Sequence, residues 1–171
     1  MGVLDNKSVK KVRKALLEAG LGDNVIELKK TAKTAEDAAK AVGTELGSIV
    51  KSLVFMIGDQ PVMALVAGDH MCKTDALPRA LALDEAYEQA GGKVKRANAN
   101  QVRAATGFII GGVSPVGRKS ELPTVIDVSL KRFETVYAAA GHSHCIFPTT
   151  VANLKRLTDG IVSYAIAEPV E

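Results

Sequence analysis

Ser48 to Gly68 reads SIVKSLVFMIGDQPVMALVAG, and the reading of this stretch decides the fold. Two apolar, β-branched runs, Ser48 to Gly58 and Pro61 to Gly68, are joined by Gly58-Asp59-Gln60-Pro61, which predicts a hairpin turn between two strands of a sheet core. Inside the first run sits Lys51. A lysine that lies outward along a sheet keeps its head group in water while its stem covers apolar surface. Here alternation groups Lys51 with Ile49 and Leu53, so its ammonium shares a face with aliphatic side chains, and that pattern points to a cleft.

Upstream, Ser8 is placed to cap a helix through Ala19, with Val9, Val12, Leu16 and Leu17 on one side and Gly20 to Gly22 as its stop. Val25 to Leu28 reads as a short strand. Thr34 and Asp37 form a capping-box pattern ahead of a helix over Ala35 to Val42 that Gly43 ends. Downstream, Lys73 to Gln89 is helical in composition with a break near Pro78, Lys93 to Arg96 is strand-like, and Asn98 caps a helix to Ala105. Phe108-Ile109-Ile110 reads as a buried strand. Pro123 to Val128 and Thr135 to Ala139 predict strands about a turn at Leu130 to Phe133, and Cys145 to Phe147 predicts another. Thr149 or Thr150 caps a helix to Leu157, and Ile161 to Ile166 closes the fold as a strand. Hairpins and scattered helices, without regular strand–helix alternation, predict an α+β (mixed α/β) fold. No linker or repeat divides residues 1–171, which read as a single domain.

Composition narrows the function. The chain is 47% hydrophobic and 24% charged, ordinary for a globular domain of this length and unlike a disordered or collagenous one. Four Phe, three Tyr and no Trp argue against an aromatic stacking platform for single-stranded nucleic acid, while leaving phosphate binding open. A net charge of +3 is too small for a DNA-coating protein. Lysines gather at Lys7 to Lys14, Lys29 to Lys40 and Lys93 to Arg96, a pattern that reads as solvated helix faces and strand ends. Two cysteines, Cys72 and Cys145, make no disulfide framework, and no apolar signal core or run of ~20 apolar residues is present. A cytoplasmic protein with no membrane role is expected.

Gly111-Gly112-Val113-Ser114-Pro115-Val116-Gly117 is the stretch richest in chemistry. Glycines let another molecule approach the main chain, and Pro115 fixes one φ, so a rigid loop with exposed amides and carbonyls is expected. With Lys51 it suggests an anionic or ester-bearing ligand. The loop lacks the dinucleotide spacing, and the chain contains neither a G-x-x-x-x-G-K-[ST] loop nor a G-x-S-x-G elbow, which disfavours NAD, ATP and serine-hydrolase chemistry. His142-Ser143-His144-Cys145 makes zinc conceivable, but the spacing matches no four-ligand pattern, so no metal and no cofactor are expected. A site of main-chain groups, one lysine and one histidine would polarise an ester carbonyl and orient water.

Ile49-Val50-Lys51-Ser52-Leu53-Val54-Phe55, the Gly111-x-x-x-Pro115 spacing and Leu122-Pro123-Thr124-Val125-Ile126-Asp127 together resemble the YbaK/ProX family of trans-editing aminoacyl-tRNA deacylases. Gly68-Asp69-His70 echoes the related editing insertion of bacterial prolyl-tRNA synthetases. The resemblance runs from about Thr34 to Ile166. It implies a curled, barrel-like mixed sheet with flanking helices, and hydrolysis of amino acids wrongly attached to tRNA, typically tRNA(Pro). It also implies that Lys51 contacts the tRNA 3′ end, that Gly111 to Pro115 hold the aminoacyl ester, and that His144 or His142 matches an insertion-domain histidine. The expected catalytic set is then Lys51, Gly111 and His144. The expected binding set is Lys51, Gly111, Gly112, Ser114, Pro115 and His142. Family chemistry is largely substrate-assisted, consistent with the missing triad. His142-Ser143-His144 departs from cysteine-specific members, which carry glycine and basic residues there, so alanine, serine, threonine or a non-protein amino acid stay open beside cysteine. Prolyl-tRNA synthetase or an elongation factor is the expected partner for selecting the tRNA. Two rivals remain: a non-catalytic tRNA-end or nucleotide-binding module, and a zinc hydrolase built on His142, His144 and Cys145.

Overall fold

The hairpin at the centre forms as its residues dictate, and everything else packs around it. The computed structural model describes residues 2–170. In chain order its elements are α1 (Lys7–Glu18), β1 (Ile26–Glu27), α2 (Ala35–Val42), β2 (Ile49–Ile57), β3 (Gln60–Ala67), β4 (His70–Cys72), α3 (Leu77–Ala80), α4 (Asp84–Gln89), β5 (Val94–Arg96), α5 (Ala99–Thr106), β6 (Thr124–Asp127), β7 (Val136–His142), β8 (Cys145–Thr149), α6 (Val151–Thr158), β9 (Ile161–Ser163) and β10 (Ala167–Pro169).

The main sheet runs β1-β8-β7-β2-β3-β6-β9, with β5 paired to β2 outside that path, and β10 and β4 form a small second sheet. Pairings β2–β7, β3–β6 and β6–β9 are parallel and the others antiparallel, so the sheet is mixed, as the family resemblance implies. It is open: β1 and β9 end it without pairing to each other, which corrects the barrel-like closure.

Both faces of the β2–β3 hairpin are covered. Val50, Val54, Met63, Leu65 and Ala67 pack with Val9, Val12 and Leu16 of α1 and Val102 of α5. On the other face Phe55, Ile57, Val62, Ala64 and Val66 pack with Leu77, Leu81 and Ile166. Double burial explains why β3 reads as an unbroken apolar run instead of an alternating one. Each fully buried aliphatic side chain here contributes about 1.5–3 kcal/mol.

Several local expectations shift. Asn6, not Ser8, caps α1, because its Oδ1 accepts from the Ser8 amide at 2.9 Å and the Val9 amide at 3.4 Å. Pro78 does not break a helix; it lies in the first turn of α3, where its missing N–H costs nothing, and the chain breaks after it at Ala82, whose φ is +56°. Phe108-Ile109-Ile110 is not a strand. Gly107 ends α5 at φ +82°, Phe108 plugs the core at 1% exposure, and Ile109 and Ile110 stand 58% and 61% exposed in a turn closed by the Gly112 amide on the Ile109 carbonyl. The closing strand stops at Ser163, whose hydroxyl accepts from the Ala165 amide; Ile166 then enters the second core and β10 pairs with β4.

Candidate active site

β2 has two edges with different fates. One is paired with β3 from Val50 to Ile57. The other pairs with β7 only at Ile49 and Val50, and with β5 only from Phe55 to Ile57. Between them Lys51, Ser52 and Leu53 have no strand neighbour on that edge. The direction of their main-chain groups follows from alternation. The Ile49 carbonyl accepts from the Gly68 amide on the β3 side, and the Val54 carbonyl accepts from the Ala97 amide on the other, so the Ser52 N–H and C=O face the gap without a ladder partner. The Ser52 hydroxyl is buried and also unpartnered. Buried polar groups left unpaired in the middle of a core strand are costly and mark a place where a ligand or water completes the bonding.

The gap opens because β7 bends away: its register against β8 shifts between Ala139 and His142, and Gly141 takes φ +94°. A Cβ on Gly141 would come within 2.8 Å of the Ser8 carbonyl group, so this glycine lets α1 lie directly on the bend.

Into the gap opens a cavity of about 310 Å³ lined by Lys51, Ser52, Leu53, Gly111, Val113 and Tyr137 among others. The Lys51 ammonium donates to the His70 carbonyl. Burial pushes its pKa below the ordinary lysine value, a tendency opposed by Glu36, Asp127 and Asp69 nearby. That carbonyl is itself held in place. Arg132 grips Asp69 through two hydrogen bonds of 2.9 and 2.7 Å, and the second Asp69 contact, 2.7 Å to His70 Nδ1, ties down the turn that carries the carbonyl. The Arg132 guanidinium, helped by His70, holds the Asp69 carboxyl down at about 2. Lys33, Lys51 and Arg96 line the cavity and, among the described residues, no carboxylate does, so its field favours an anion or a carbonyl that gains negative charge. Thr34, Ala35 and Ala38 present the N-terminal turn of α2 to the same space, with the Thr34 hydroxyl capping Asp37 at 3.1 Å.

The structure sorts the expected site residues. Lys51 and Gly111 meet in one cavity. Gly112 lies behind it, packed so tightly that a Cβ would fall 2.7 Å from the His142 amide nitrogen. Ser114 and Pro115 are buried and do not line the cavity, contrary to the expected binding role; the Ser114 hydroxyl accepts from the Val116 amide at 3.2 Å and stiffens the loop. His142 and His144 also lie outside it, in a groove with Asp5, Asn6 and Glu27. The reason is the β7–β8 hairpin: His142 Nδ1 accepts from the His144 amide at 3.0 Å, and His144 Nδ1 bonds the Leu28 carbonyl at 3.1 Å, which turns both rings towards the N-terminal segment. Cys145 packs in the core and its thiol is pushed up to about 11 by burial, so the zinc set His142-His144-Cys145 is not assembled. Among the described residues no three His, Cys, Asp or Glu side chains converge as a metal site.

Sequence reading missed Ser52, Arg132 and Tyr137. Only Asp127, four residues before Lys131-Arg132, hinted that charge clusters near the hairpin; nothing in the string reveals which edge of β2 is open.

A family described as the aminoacyl-tRNA editing domain matches residues 29–157. The chain is similar to the uncharacterised protein YwhH of Bacillus subtilis (strain 168), 33% identical over 152 residues that cover 88% of this chain and 91% of YwhH. EbsC of Enterococcus faecalis (strain ATCC 700802 / V583), provisionally designated a Cys-tRNA(Pro)/Cys-tRNA(Cys) deacylase, is 30% identical over 110 residues, 63% of this chain and 62% of EbsC. A crystal structure provisionally described as a trans-editing enzyme for prolyl tRNA synthetase superposes with a TM-score of 0.79 at 36% identity, covering 95% of this chain and 98% of the other. No helix is long and apolar enough to cross a membrane among the described residues.

Proposed function

Because this chain belongs to the aminoacyl-tRNA editing domain family, we propose that it hydrolyses the ester linking a mischarged small amino acid to tRNA, with tRNA(Pro) as the leading substrate. The observation that carries the reading is the gap in β2. It offers unpaired main-chain groups at Ser52, the Lys51 ammonium on one side and the Gly111 turn on the other, in a cavity of about 310 Å³, the size of an aminoacyl group with part of a ribose.

The chemistry follows from those groups. The terminal ester lies in the gap with its carbonyl oxygen towards main-chain donors, while Lys51 holds the phosphate or ribose of the terminal nucleotide. Water adds to the carbonyl carbon, the bond to the ribose oxygen breaks, that oxygen takes a proton from the attacking water, and the amino acid leaves as its carboxylate with release of a proton. Among the described residues no Asp, Glu or His lines the cavity, so the proton relay falls to the vicinal ribose hydroxyl or the amino acid's own amine. Rate then comes from positioning and from donors aimed at the developing oxyanion, and each such donor is worth on the order of 100-fold. Small side chains fit against Ala35, Ala38, Ala97 and Ala139, and a synthetase would deliver the tRNA.

The test is release of amino acid from Ala-, Cys-, Ser-, Thr- and Pro-tRNA(Pro) by the wild type and Lys51→Ala. Selective, Lys51-dependent release supports the reading. The carboxylate-free cavity also suits a module that binds the tRNA end without turnover, and tight binding with every ester intact would establish that reading in its place.

A further inference from the structure

Residues 89–120 hold six of the 22 lysines and arginines, Lys93, Lys95, Arg96, Arg103, Arg118 and Lys119, and none of the 19 acidic residues, so the rest of the chain is net negative by three. Charge this segregated is not the evenly mixed surface that solubility alone requires. Arg118 is committed to the fold, donating to Thr124 Oγ1 at 3.0 Å, and burial pushes its pKa down. The other five are exposed, and none makes an ion pair among the described residues.

The chain that carries these five touches the cavity at Arg96, Ala97 and Val102. Arg96 lines the cavity and its guanidinium stands 5.5 Å from the centre of the Phe55 ring. Lys95 shares its strand and Lys93 lies just before it, and α5 follows after Ala97 and Asn98, eight residues and so about 12 Å long, with Arg103 in its last turn. Lys119 sits at the far end of α5, where its amide donates to the Thr106 carbonyl at 2.9 Å and the Ser120 hydroxyl donates to the Ala105 carbonyl at 2.9 Å. The other two lysine-rich regions differ: Lys29, Lys30, Lys33 and Lys40 are interleaved with Glu27, Glu36 and Asp37, and in the run from Lys7 to Lys14 Arg13 pairs with Asp23 and Lys14 with Glu18.

We propose that the β5–α5 surface, from Arg96 to Lys119, is the dock for the phosphodiester backbone of the RNA whose 3′ end enters the cavity. The proposal rests on the reading of the cavity as a tRNA-end site and adds where the rest of the acceptor arm lies. Exposed cations on β5, on α5 and beside its end, free of ion pairs among the described residues, suit sequence-independent phosphate contacts. A protein partner would need an apolar centre poor in lysine, and this strip offers only Ile109 and Ile110 at its margin. The strip therefore explains how a domain that reaches only the end of a tRNA could gain affinity without reading bases.

The experiment measures binding of uncharged tRNA against salt for the wild type, for Lys95→Glu/Arg103→Glu/Lys119→Glu, and for Lys29→Glu/Lys30→Glu/Lys40→Glu as a control of equal charge change. Each phosphate contact contributes roughly 0.7–0.9 to the slope of log K against log salt. The first triple should lower the slope by about 2 and weaken binding at least tenfold at low salt; its neutral counterpart with Gln at all three positions should show the same direction with circular dichroism unchanged. The control should lose less than a third as much. Equal losses in both triples, or an unchanged slope in the first, would overturn the dock. Uncharged tRNA needs no hydrolysis, so the two readings fail separately. Ester hydrolysis by a wild type whose tRNA affinity matches the first triple leaves the hydrolase standing and removes the dock. Lost affinity in the triple, with no hydrolysis by the wild type, does the reverse.

Discussion

Gly112→Ala tests whether the glycine loop acts as a gauge that sets the cavity wall. Its φ lies outside the left-handed region, so the methyl brings no backbone penalty and acts through space alone. That methyl would stand 2.7 Å from the His142 nitrogen and 2.8 Å from Gly141 C and His142 Cα, all main-chain atoms of the β7–β8 turn, and ordinary contact begins near 3.4 Å. The turn cannot yield easily, because Gly141 is itself seated against α1. The loop must therefore retreat by ~0.6–0.7 Å, and Ile110, Gly111 and Val113 carry the shift into the cavity. A 1 Å misplacement of a catalytic wall costs on the order of 100-fold, so kcat/KM for aminoacyl-tRNA hydrolysis should fall roughly 10- to 50-fold. Overpacking should cost about 1–3 kcal/mol in urea unfolding. Kinetics are read where circular dichroism shows the variant folded. Retention of kcat/KM within twofold by a variant that is destabilised as expected would refute the link between loop seat and cavity.

Other consequences can be checked independently. Arg132→Gln should lower stability at pH 7 by about 1 kcal/mol, a figure kept small because the pair is partly solvated. Asp69 is held at about 2 in the folded protein, below its unfolded value, so its contribution is complete above about pH 4 and disappears as pH falls through about 2; urea titrations at pH 7 and 2.5 should show the difference between wild type and variant shrinking. The same variant loosens the His70 carbonyl that holds Lys51, so kcat/KM should drop several-fold even at pH 7, and Arg132→Lys should recover only part because it cannot grip Asp69 with two parallel bonds. Phe108→Ala removes the buried anchor of the loop and should cost about 3–5 kcal/mol in thermal or urea unfolding. Asn98→Ala opens the capping box of α5 and should cost about 1 kcal/mol, read the same way.

Much of the fold could be read from the string because it is local. The β2–β3 hairpin, α2 between Thr34 and Gly43, and α5 with its Asn98–Gln101 box follow from alternation and from caps a few residues away. Failures had a common cause in tertiary competition. Ile109 and Ile110 have strand-forming side chains but no neighbouring strand to pair with, and Ile161 to Ile166 is divided because Ile166 is needed in the second core. Lys51 and Gly111 stand out in sequence because a charge in an apolar strand and a doubled glycine are locally anomalous. Ser52 does not: a serine beside a lysine is unremarkable until pairing shows that β7 leaves β2 before it and β5 arrives after it. Arg132 reaches Asp69 across 63 residues, a contact no periodicity encodes. The histidines misled because proximity in sequence to the β7 bend is not proximity to the cavity, since each ring is turned away by a hydrogen bond of its own.

The opening in β2 also gives the protein a clock. Amides on either side of Ser52 point to β3 and are held in its ladder, and amides held in this way exchange slowly because they wait for the ladder to open. The Ser52 amide has no such lock and should exchange with deuterium far ahead of its neighbours in the empty protein. Anything that fills the gap and accepts its hydrogen bond should slow that single site, so occupancy can be timed at one peptide group, without turnover, label or knowledge of which amino acid is attached.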